Sequence, residues 1–61
     1  MEKHQAIAQA KRLAKRTNET RVVFFEDDGW YHLREWLAEE TLTQGQWQTG
    51  LTINPHGEIE N

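Results

Sequence analysis

Arg21-Val22-Val23-Phe24-Phe25-Glu26-Asp27-Asp28-Gly29-Trp30-Tyr31-His32-Leu33-Arg34 decides the fold. Two runs rich in β-branched and aromatic residues flank a cluster of turn formers, which is the pattern of a β-hairpin. Glycine after Glu26-Asp27-Asp28 points to a type I turn followed by a G1 bulge, because glycine takes positive φ without a Cβ penalty. In that register Gly29 and Trp30 together oppose Glu26. Phe25 then faces Tyr31, Phe24 faces His32, Val23 faces Leu33 and Val22 faces Arg34. Val23, Phe25, Tyr31 and Leu33 form a uniformly apolar face, and Val22, Phe24, His32 and Arg34 a mixed one. A two-residue turn at Asp28-Gly29 would pair Phe24 with Leu33 and mix the faces, so the bulge is the expected arrangement.

The same turn chemistry recurs at Asn54-Pro55-His56-Gly57, where Pro55 pre-sets the second turn position and Gly57 supplies positive φ. Bulge pairing there sets Asn54 against Glu58 and Ile53 against Ile59, a buried pair ending the second hairpin. Upstream, Trp47, Thr49, Leu51 and Ile53 alternate with polar or small residues, as in a strand covered on one face. Residues 36–44 contain Ala, Leu and Glu, which favour a helical turn, and a Thr-Leu-Thr run that suits a strand; the helical turn is the preferred reading.

Before the first hairpin, Ala6, Ile7, Ala10, Leu13 and Ala14 recur at three- and four-residue spacing over Lys3 to about Arg16. This is an amphipathic helix whose small stripe allows close approach to a sheet. Asn18 suits its left-handed C-terminal position, and Lys15 and Arg16 complement the negative end of its dipole. The expected fold is therefore α+β: an N-terminal helix on a small antiparallel sheet built from two hairpins, ordered α-β-β-(short helix or loop)-β-β, in one small domain spanning residues 1–61.

Composition bounds the function. The 61 residues include no cysteine, which excludes disulfides and thiolate metal sites and fits a reducing cytoplasm. No stretch has the length and apolarity of a signal peptide or membrane span, so a cytoplasmic protein without a membrane partner is expected. His4, His32 and His56 lack ligand spacing, and the acidic residues lack the pattern of a calcium loop, so neither metal nor cofactor is expected. His32 has no Ser, Cys or Lys nucleophile at an interpretable spacing, and no catalytic residue emerges. The chain reads as a non-enzyme.

Two surface features remain. Trp30, Trp36 and Trp47 are many for so small a core, and the expected register puts Phe24, Trp30 and His32 together on the sheet face turned away from the helix. With Trp36 and the acidic turn residues Glu26, Asp27 and Asp28, they form a candidate surface for a protein partner; the competing reading is a second small core closed by residues 36–44. Charge is also divided along the chain. Residues 1–21 carry six of the seven Lys and Arg against two Glu, and residues 22–61 one Arg against eight acids, local balances of +4 and −7. Lys11, Arg12, Lys15 and Arg16 lie together opposite the apolar stripe, an alternative surface for nucleic acid. The competing reading is an ordinary solvated helix face on a chain whose net charge is −3. Self-association as a structural homodimer is the third reading.

The basic helix Ala10-Lys11-Arg12-Leu13-Ala14-Lys15-Arg16, followed by Val22-Val23-Phe24-Phe25-Glu26-Asp27-Asp28-Gly29-Trp30-Tyr31, resembles the compact α/β accessory proteins encoded by phages and prophages, some of which are anti-CRISPR inhibitors. The resemblance covers the layout of residues 6–36. It implies a protein that binds and modulates a host macromolecule, and it carries over no functional residue.

Overall fold

A computed structural model of the chain describes residues 1–60. Helix α1 (Lys3–Thr17) is followed by strands β1 (Arg21–Glu26) and β2 (Gly29–Arg34), short helices α2 (Glu35–Thr41) and α3 (Gln44–Thr49), and strands β3 (Leu51–Ile53) and β4 (Ile59–Glu60). All neighbouring strands are antiparallel, in the order β2-β1-β3-β4. The fold is the expected α+β arrangement, with a helix where residues 36–44 were ambiguous.

Local chemistry sets the helix ends. At the start of α1 the Glu2 N–H donates to Gln5 Oε1 (3.1 Å), half of a capping box. At its end Asn18 adopts φ 54°, ψ 41°, and Glu19 N–H reaches back to the Ala14 carbonyl (3.1 Å), closing the left-handed cap that asparagine tolerates. Ala6, Ala10 and Ala14 are wholly buried and, with Val23 and Ile53, form the core beneath α1; Ile7, Trp30 and Leu51 pack on its margin. The alanine stripe lets the helix lie close to the strands.

The first hairpin departs from the expected register. Glu26 pairs directly with Gly29, Phe25 with Trp30, Phe24 with Tyr31, Val23 with His32 and Val22 with Leu33, around a two-residue Asp27-Asp28 loop. Asn18 and Gly57 alone among the described residues have positive φ, so Gly29 makes no bulge. Its missing side chain serves a tertiary need: a Cβ there would lie 2.9 Å from the Met1 backbone nitrogen. One residue of register turns every β2 side chain to the other face. Trp30 and His32 therefore face α1, while Tyr31 and Leu33 join Val22 and Phe24 on the far side.

That far side is a second core. Val22, Phe24 and Ala38 are buried outside the α1 cluster, beneath α2 and α3, and the Phe24 and Tyr31 rings lie 6.1 Å apart. The strand expected from Trp47 onward is correspondingly shorter. Gln46 Oε1 accepts from the Thr43 N–H (3.0 Å), and this capping box initiates α3 where the alternation suggested a strand. Pairing begins only at Leu51, after Gly50 brings the chain against β1 so closely that a Cβ would sit 2.9 Å from the Val23 carbonyl oxygen.

The second hairpin follows the expected scheme. Gly57 takes φ 81° and its N–H closes the turn on the Asn54 carbonyl (2.9 Å), while Asn54 Oδ1 accepts from the His56 and Glu58 N–H groups. Ile53 pairs with Ile59, but only Ile53 is buried; Ile59, on the edge strand β4, stays 43% exposed.

Candidate functional site

The hairpin tip and the start of α1 enclose an open groove of about 530 Å³, lined by Met1, Lys3, Phe25 and Trp30, with Glu2 and Asp28 among its polar residues. Backbone geometry builds it. In the direct register Phe25 and Trp30 are a pair that exchanges no ladder bonds, so the N–H and C=O of Trp30 point outward from the sheet edge. Met1 meets them: the Trp30 N–H donates to the Met1 carbonyl at 2.8 Å, and the Met1 amine reaches the Trp30 carbonyl at 3.4 Å. The first residue thus covers one rung of the edge strand.

Two aromatic rings dominate the groove. Phe25 and Trp30 meet edge to face with centroids 5.6 Å apart, and Phe25 remains 46% exposed. The Lys3 ammonium lies 5.0 Å from the centre of the Trp30 ring, within cation–π range. Asp28 Oδ1 accepts a 2.6 Å bond from the Tyr31 hydroxyl, and this bond, with the nearby acids, raises the Tyr31 pKa above its ordinary value. Glu26 Oε1 accepts from Gln46 Nε2 (3.0 Å), tying the hairpin tip to α3.

The sequence-derived surface is only partly assembled. Glu26, Asp27, Asp28 and Trp30 gather at the hairpin tip, but Phe24 lies on the opposite sheet face and is 4% exposed, so it belongs to the second core. Trp36 is 52% exposed on α2, across the sheet from Trp30. His32 faces α1 rather than the open side. Its Nδ1 accepts from Arg21 Nε (2.9 Å), and its Nε2 lies 3.3 Å from Gln9 Oε1. Accepting at Nδ1 requires the neutral ring with its proton on Nε2. Burial, helped by the Arg21 charge, lowers the His32 pKa.

Met1, Glu2, Lys3, Gln5 and Phe25 line the groove without belonging to the surface expected from the sequence. The bulge register places Phe25 on the face toward α1 with Tyr31 and Leu33; the signal for the direct register is the Asp27-Asp28 pair, itself sufficient as a two-residue loop. The four cations Lys11, Arg12, Lys15 and Arg16 do share the outer part of α1, and none forms an ion pair among the described residues, where Arg34 with Glu19 (3.8 Å) is the sole such contact. Among the described residues no helix is long and apolar enough to cross a membrane. No protein-family model, curated protein or solved structure matches this chain.

Proposed function

We propose that this chain is a non-enzymatic binding module that docks a partner protein in the groove at the hairpin tip. Phe25 and Trp30 serve as its aromatic anchors, and the groove acids Glu2 and Asp28, with Asp27 and Glu26 at the tip behind them, draw basic residues of the partner. The observation that carries the reading is the half-exposed Phe25 ring held against Trp30 in a groove with acidic residues beside it. Interfaces draw most of their energy from such aromatic groups, with a charged rim setting orientation and association rate. Modulation of a host macromolecule by a phage or prophage accessory protein is the biological form of this proposal, as the resemblance implies.

The test is affinity capture from the native host with the wild-type chain and Phe25→Ala, a change at an exposed ring that leaves both cores intact. Loss of a captured protein, with at least about tenfold weaker binding of that purified partner, is the expected result for an anchor contributing about 1.5 to 3 kcal/mol. Equal capture by both chains would contradict the proposal. Sedimentation showing a Phe25-dependent dimer would assign the groove to a second copy instead.

A further inference from the structure

We infer that the outer face of α1 binds the phosphate backbone of duplex nucleic acid without reading its sequence. Helix α1 holds Lys3, Lys11, Arg12, Lys15 and Arg16 and no acid. Lys11 and Lys15 form one row and Arg12 and Arg16 a second, each pair one helical turn apart. Lys15 is partly set in place by the second hairpin, because its methylenes lie across Gly57, where a Cβ would come within 2.6 Å of Lys15 Cε.

A net charge of −3 argues against such a ligand only if the acids share this surface, and the fold sets most of them elsewhere. Glu35, Glu39 and Glu40 belong to α2, on the opposite face of the sheet. Glu26, Asp27 and Asp28 sit at the hairpin tip beside Met1, at the other end of α1. At a rise of 1.5 Å per residue, the tip lies about 12 to 20 Å along the helix from the cluster at residues 11–16, beyond the ~8 Å screening length at physiological salt. Glu19, next to the C-terminal end of α1, is engaged by Arg34. Glu60 accepts from Asn54 Nδ2 (3.0 Å), and Glu58 follows the Gly57 over which Lys15 lies, so it is the acid that offsets part of the field there. A phosphate approaching this face therefore meets a locally positive field.

The chemistry favours nucleic acid over other anionic surfaces. A membrane-bound amphipathic helix inserts its apolar stripe, but here Ala6, Ala10 and Ala14 are consumed by the core. A protein interface needs apolar anchors, and the apolar residue exposed amid the cations is the small Ala8, with Leu13 half-buried at the margin. A row of Lys and Arg without anchors suits a regular array of phosphates.

Fluorescence anisotropy with a labelled duplex DNA, repeated between about 50 and 200 mM salt, tests the inference. About four phosphate contacts predict a slope of log K against log salt near −3.6, and mixed-sequence and A·T-rich duplexes should bind alike. The double substitution R12E/R16E should weaken binding at least tenfold at the lower salt, and R12Q/R16Q should flatten the slope by roughly two. Phe25→Ala should bind the duplex as the wild type does, so failure here is separable from failure of the groove reading. A flat salt response, undiminished binding by R12E/R16E with its helical spectrum intact, or binding of polyglutamate or anionic vesicles in preference to DNA would each overturn it.

Discussion

His32 is held between elements: Arg21 donates to its Nδ1 from β1, and Gln9 of α1 lies against its Nε2. The Arg21 bond requires the neutral ring, since Nδ1 must accept, and burial beside a cation lowers its pKa below the ordinary 6.5. Below 6.5 the unfolded chain takes up the proton more readily than the folded one, so this contribution to stability is complete above that pH and declines as the pH falls through the folded value. Urea midpoints measured from about pH 7 down to 5.5 should fall for the wild type and stay flatter for His32→Gln, which keeps a donor and an acceptor but cannot charge. Parallel curves would contradict the neutral-imidazole assignment. Asn18 and Gly57 were readable from the sequence because positive φ is a local requirement that few residues meet. Gly29 was misread for the converse reason: what it accommodates is Met1, twenty-eight positions away in the chain, and no local pattern encodes that approach.

Elements were legible in kind and less so in register. Helix α1, both β1 and β2, and the reversal at Gly57 follow from periodicity and turn chemistry that act within a few residues. The pairing of β1 with β2 turned on whether one glycine bulged, and a single residue of slip exchanged the faces of Trp30 and His32 with those of Tyr31 and Leu33. The same slip explains why Phe24 looked like an exposed anchor and is instead the main side chain of the second core. Phe24→Ala should cost about 3 to 5 kcal/mol, enough to unfold most of so small a domain, whereas Trp36→Ala should change stability by under about 0.5 kcal/mol. Chemical denaturation of the two variants distinguishes a two-core sheet from one with an open aromatic face.

At the scale of the molecule, a sheet covered on both faces leaves its candidate surfaces at its ends and on the outside of its helices. The groove lies where the hairpin tip meets the start of α1, and the cationic rows lie farther along the same helix. Composition along the chain already separated +4 from −7, but only the placement of α2 across the sheet and of the acidic turn at one end shows that the two charges also part in space. The groove depends on the direct hairpin register, since it brings Phe25 beside Trp30 and turns the outward-facing backbone of Trp30 to Met1. Nuclear Overhauser contacts between α-protons across the hairpin measure that register. Strong cross-peaks linking Phe25 with Trp30 and Val23 with His32 are predicted, and cross-peaks linking Phe25 with Tyr31 and Val23 with Leu33 in their place would contradict the account.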